Sequence, residues 1–115
     1  MSTNMTAEGR SNRLKIPTCH GVCPKHHVKG MLVLRSIDGR LYWYCHHWWQ
    51  KGTISCYVGK VGRGSKYFNL LTMRKPDFIV RGERIQKIAK QLDGLDNKQK
   101  IMVAMELYVF EELEK

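Results

Sequence analysis

Seven of the chain's residues pair thiol and imidazole chemistry at short spacing. Cys19 and Cys23 are followed at once by His26 and His27, and Cys45 stands directly before His46 and His47. A fourth cysteine, Cys56, comes eleven residues after Cys45. Cysteine thiolates and neutral imidazoles are the donors that a tetrahedral Zn2+ site uses, and a tight turn aims two closely spaced ligands at one ion. The favoured ligand set draws on Cys19, Cys23 and Cys45, with His26 or His47 completing it and Cys56 in reserve. The alternative leaves Cys45 and Cys56 as small buried apolar residues, with the histidines at the surface.

Elements that would position these residues are readable around them. Met31 to Leu34 and Leu41 to Tyr44 are apolar and aromatic runs of strand length, separated by Asp38-Gly39. An Asp-Gly pair favours a tight hairpin turn with positive φ. The turn lies at the far end of this hairpin, so its open end brings the first Cys/His cluster against the second. A third strand is expected at Ile54 to Val58, where apolar and polar residues alternate, and a fourth short one at Tyr67 to Met73. Residues 1–16 read as a flexible arm whose end, with Arg10, Arg13 and Lys15, is basic.

"CPKH" at 23–26, followed by Cys45, resembles the first three ligands of the Cys-His-Cys-Cys ribbon of bacterial primases. The resemblance covers about 25 residues and implies a metal-bound strand pair; at the fourth ligand position this chain has Trp48. The expected fold is α+β: a zinc-ribbon-like antiparallel sheet of three or four strands over residues 17–78, then a helical hairpin over 79–115.

The helices announce themselves by a change of period. Ile85, Ile88, Ala89, Leu92 and Leu95 fall at helical spacing, and Gly94 suits the residue after a helix end. Asp96 and Gln99 form a capping-box pair that opens a second helix. Ile101, Ala104, Met105, Tyr108 and Val109 give that helix one apolar stripe. Val103, Leu107 and Phe110 fall off the stripe, which predicts a partner-binding or self-association surface.

Charge separates along the chain. Residues 1–80 hold thirteen Lys/Arg against three Asp/Glu, whereas residues 81–115 hold seven of each, so the formal charge of +10 belongs to the Cys/His-bearing segment. A polyanion, above all nucleic acid, is the expected partner. Aromatic residues interleave with these cations, as in surfaces that stack bases while cations meet phosphates. The expected contacts are Arg35, Arg40, Tyr42, Tyr44, Lys51, Tyr57, Lys60, Arg63 and Lys66. Trp43 is expected to fill the core.

Catalysis is not expected. "YVGKV" at 57–61 resembles the second signature of GIY-YIG nucleases, but no Gly-Ile-Tyr precedes it. Carboxylates before residue 81 are limited to Glu8, Asp38 and Asp77, too few for two-metal nuclease chemistry. No apolar run approaches the ~18 residues that span a bilayer, and the first residues hold no apolar leader. The expectation is a cytoplasmic protein (host cytoplasm if viral). It would bind nucleic acid or serve a nucleic-acid-processing complex; the alternative is a phage-style inhibitor of a host nuclease, helicase, polymerase or defence complex.

Overall fold

The computed structural model describes residues 11–62, 65–67, 69 and 78–114. Five strands, β1 (Ser11–Leu14), β2 (His20–Val22), β3 (Lys29–Ile37), β4 (Arg40–Trp49) and β5 (Gly52–Lys60), form one antiparallel sheet. Two helices follow, α1 (Phe78–Lys90) and α2 (Asn97–Glu114). The architecture is α+β, as expected, with one strand more than the upper estimate. No helix among the described residues is long and apolar enough to cross a membrane.

The β3–β4 hairpin turns where its sequence demands. Asp38 and Gly39 take φ of 52° and 81°, the left-handed pair that matches the twist of the strands. Ile37 and Arg40 close the turn, and the register runs without interruption to Met31 opposite His46. The next hairpin closes at Trp49 opposite Gly52, with Gln50 at φ 56°. β1 and β2 lie one after the other along the free edge of β3. Leu14 pairs with Leu34 and His20 with Met31. Residues 15–19 between them belong to no strand and arch past Leu32 and Val33, until the Leu32 N–H donates to the Cys19 carbonyl at 2.9 Å. Ser11–Leu14 is therefore an edge strand and not part of an arm; residues 1–10 lie outside the described residues.

Alternation divides the sheet into two faces. Leu41, Trp43, Cys45 and His47 are buried on one, while Tyr42, Tyr44 and His46 are half-buried and Trp48 exposed on the other. The helices cover the first face. Leu32, Leu34, Trp43, Ile88, Leu92, Val103, Leu107 and Phe110 join in one core, with Trp43 set edge-on to Phe110 at 5.1 Å. α2 opens with the expected capping box: the Gln99 N–H donates to Asp96 Oδ1 at 2.8 Å, and the Asp96 N–H to Gln99 Oε1 at 3.3 Å. α1 ends at Lys90, earlier than Gly94 suggested, through tightened bonds from Gln91 to Ile88 and from Leu92 to Ala89; Gly94 then turns the chain at φ 80°.

Two further expectations are corrected. The fourth strand expected at Tyr67 to Met73 is not present where the chain is described: Lys66, Tyr67 and Asn69 are helical, and the Asn69 N–H bonds the Ser65 carbonyl at 3.0 Å. Val103, Leu107 and Phe110 are 0%, 2% and 4% exposed, so they form core and not a partner surface. The single-stripe reading failed because α2 is covered over a wide arc, by the sheet and by α1, to which the Arg84–Glu111 ion pair also ties it.

The buried carboxylate Glu106 lies on that arc. It is 0% exposed and stands in the middle of the sheet-facing side. Trp43 Nε1–H donates to its Oε1 at 2.9 Å and the Gly62 N–H to its Oε2 at 2.7 Å. Burial pushes its pKa above the ordinary carboxylate value, against the pull of hydrogen bonds from Gly62, Trp43 and Ser65. A raised folded-state pKa means that folding is favoured most below the unfolded value and less as pH rises through the folded one. Denaturation of wild type should therefore show stability falling with rising pH just above the normal carboxylate range. Glu106→Gln should flatten that slope and cost about 1–3 kcal/mol, because its amide turns a donor toward a donor. An unchanged slope would contradict this role.

Candidate metal centre and sheet surface

The turn between β2 and β3 is the first half of the site. The Cys23 N–H bonds the Val28 carbonyl and the His27 N–H the Cys23 carbonyl, both at 2.8 Å, with His27 at φ 58°. This tight knuckle directs the His26 N–H at Cys23 Sγ, 3.3 Å away. The second half comes from His47 near the end of β4 and Cys56 in the middle of β5. His47 and Cys56 lie on the helix-covered face, one pairing step apart diagonally, since Cys45 opposes Cys56 and His47 opposes Ile54.

Cys23, His26, His47 and Cys56 converge, with their ligand atoms within 4.8 Å of one another. His26 Nδ1 stands 3.6 Å from Cys23 Sγ, 3.5 Å from Cys56 Sγ and 3.3 Å from His47 Nε2. Cys56 Sγ stands 3.6 Å from His47 Nε2. One imidazole nitrogen carries at most one hydrogen and cannot bond three such partners at once. A common centre explains all four distances. Nitrogen at about 2.0–2.1 Å and sulfur at about 2.3 Å from one tetrahedral ion stand roughly 3.3–3.4 Å apart as an N/N pair and roughly 3.5–3.6 Å as an N/S pair. The four residues thus form a Cys2His2 cluster with the shape of a metal site.

Surrounding groups orient these ligands. His47 Nδ1 lies 3.0 Å from the Trp48 carbonyl; donating there leaves Nε2 as a bare acceptor facing the cluster. The same carbonyl raises the His47 pKa, opposed by burial and helped by Cys23. His26 stacks on Trp49 with ring centres 4.1 Å apart. Burial pushes the Cys23 thiol up, but the backbone N–H groups of His26 and Lys25, together with the two imidazoles, hold it down at about 6. Cys23 is therefore the readiest thiolate. Burial and the neighbouring Cys23 charge push Cys56 the other way.

Two residues of the favoured ligand set lie outside the cluster. Cys45 is fully buried, its thiol toward the Gly21 carbonyl at 3.9 Å, and burial and the charges of Cys23 and Cys56 push its pKa up to about 11. It packs as a neutral thiol. Cys19 is buried at the end of the 15–19 arch, just before β2, with its thiol 3.8 Å from the His20 carbonyl. The reserve residue Cys56 takes the place expected of Cys45, because the knuckle meets the sheet at the diagonal pair of His47 and Cys56. Gly30 was not foreseen. A Cβ there would stand 2.6 Å from the His46 carbonyl and 2.8 Å from both Cys45 Sγ and His47 Cβ. Only glycine lets β3 pass this close beneath the cluster.

The opposite face of the sheet collects the expected nucleic-acid contacts, though not all of them. Arg13, Arg35, Tyr42 and Lys60 are successive register partners across β1, β3, β4 and β5. Tyr44 opposes Tyr57, ring centres 5.7 Å apart, and Arg35 lies over the Tyr44 ring at 5.5 Å. A bulge opposite Trp43/Tyr44 adds Val58 to β5, which keeps both Tyr57 and Lys60 on this face. Tyr57 is 53% exposed. Arg40 is exposed on the same face at the turn end of β4. Lys51 sits in the β4–β5 turn, beyond the platform. Lys66 stands beside Tyr67, which packs on the core from the helix side, so it does not share this face. Arg63 lies outside the described residues. Strands β1–β5 contain no Asp or Glu.

No protein family, curated protein or solved structure matches the chain. The functional reading therefore rests on this geometry.

Cobalt(II), titrated into metal-free protein and followed by its thiolate charge-transfer band, should bind at one equivalent. Cys56→Ser should weaken binding more than tenfold and Cys45→Ser should leave it within about twofold. Equal loss in the two variants would contradict the assignment.

Proposed function

We propose that the chain is a zinc-stabilised, non-catalytic module that binds single-stranded nucleic acid on the open face of its sheet. The observation that carries this reading is the platform itself: Tyr42, Tyr44 and Tyr57 framed by Arg13, Arg35, Arg40 and Lys60, on strands without a single carboxylate. Bases stack on such rings at roughly 1–3 kcal/mol each, while cations meet the phosphates. Tyr44 and Tyr57 brace one another edge to face, and Tyr44 also carries Arg35, so little freedom is lost when a base lands. A platform of this width holds about two or three bases. A duplex offers no base faces to stack on, which favours the single strand.

Zn2+ suits the Cys2His2 cluster by donor type and by tetrahedral spacing. Four protein ligands fill a tetrahedron and leave no open position, which supports a structural role over a catalytic one. The ion's place is mechanical. It clamps the β2–β3 knuckle to β4 and β5 and so holds that part of the sheet rigid behind the platform. The alternative of a protein-binding inhibitor loses its main support with the burial of Val103, Leu107 and Phe110.

Fluorescence anisotropy with a labelled single-stranded oligonucleotide tests the proposal. About three or four phosphate contacts should give a log K against log salt slope near −2 to −3. Tyr44→Ala and Tyr57→Ala should each weaken binding roughly 5- to 100-fold while the fold is kept. Absence of binding at low salt, or affinity indifferent to both tyrosines, would overturn the reading.

A further inference from the structure

The edge of the sheet beside the platform is not filled. Where residues 15–19 arch away between β1 and β2, a cavity of about 340 Å3 opens, lined among others by Arg13, Lys15, Ile16, Thr18, Met31 and Val33. Met31 and Val33 are the register partners of His46 and Tyr44 on the open face, whereas Leu14 and Leu32, which also line the cavity, partner Leu34 and Cys45 on the covered one, so the cavity lies at the sheet edge and reaches the open face. Tyr57, Tyr44 and Val33 follow one another across three adjacent strands, spaced about 4.8 Å apart, and lead from the exposed ring toward the cavity, which the buried Val33 helps to line.

We infer that this notch receives one nucleobase of the strand lying across the platform and gives binding a base preference. The inference rests on the nucleic-acid reading above and extends it from affinity to selectivity. Stacking on tyrosine is indifferent to base identity, because every base has a π-face. Selectivity among single-stranded bases arises where an unstacked base is held in a pocket and its edges meet hydrogen-bonding groups. The notch supplies both parts. Met31 and Ile16, both half-buried, give apolar surface for a planar ring, with the buried Val33 behind them. Thr18 and the main chain of the arch, which belongs to no strand, supply donors and acceptors for the edges. Arg13, exposed and on the platform face, and Lys15 on the arch place cations where the phosphates flanking an inserted base must pass. A purely apolar peptide side chain would gain nothing from these two cations.

Anisotropy titrations with short oligo-dT, oligo-dC and oligo-dA of equal length, at one salt concentration, test the inference in two ways. Wild type should favour one base by tenfold or more. Thr18→Phe, which fills the notch from its exposed side, should bring the three oligonucleotides within about threefold of one another. Independently of any variant, an abasic site moved along the preferred oligonucleotide should cost at least threefold more at one position than at the others. Equal affinities for all bases, a flat abasic scan, or a preference that survives Thr18→Phe in folded protein would overturn the notch while leaving the platform standing. Failure to bind any oligonucleotide would remove both.

Discussion

Four ligand atoms meet at one point on one face of a sheet, and most of the amino-terminal architecture depends on that meeting. Two of them, from Cys23 and His26, come from a turn with little core of its own. The other two, from His47 and Cys56, come from a diagonal pair of inward-facing positions on the β4–β5 hairpin. Without a centre to hold them, a lowered thiol at Cys23 packed against a buried His47 and half-buried His26 and Cys56 would be a costly arrangement. With one, the same groups become a cross-link between distant parts of the chain, and metal binding contributes directly to folding. Gly30 marks how closely the backbone must pass for this to work.

The sheet separates two tasks by its alternation. Inward residues join the Cys2His2 cluster to the helix-covered core, where Trp43 is held by Phe110 and by Glu106. Glu106 also bonds the Gly62 amide, so one carboxylate ties α2 to β4 and to the chain leaving β5. Outward residues are thereby released from packing duties. Tyrosines and cations that would be hard to bury together stand side by side on a surface whose backbone is fixed from behind.

Much of this was legible in the sequence, for identifiable reasons. Asp38-Gly39 specifies its turn by local sterics, Asp96 and Gln99 specify a helix start by two reciprocal hydrogen bonds, and Trp43 and the platform tyrosines follow from strand alternation once the hairpin is placed. What escaped depends on distant register. Cys45 and Cys56 are directly opposite one another, and only the depth at which the knuckle meets the sheet selects Cys56 as a ligand. Glu106 has no local signature, because its partners are an indole N–H and a backbone amide far away in sequence. Ser11–Leu14 looked like an arm because four polar-rich residues gain strand structure only from the waiting edge of β3.

The central claim is that Cys23, His26, His47 and Cys56, and not Cys19 or Cys45, surround a single zinc ion. X-ray absorption at the zinc edge on the purified protein tests it most directly. The account predicts a four-coordinate shell of two sulfurs at about 2.3 Å and two imidazole nitrogens at about 2.0–2.1 Å. A shell of three or four sulfurs, or one made of light atoms alone, would contradict it.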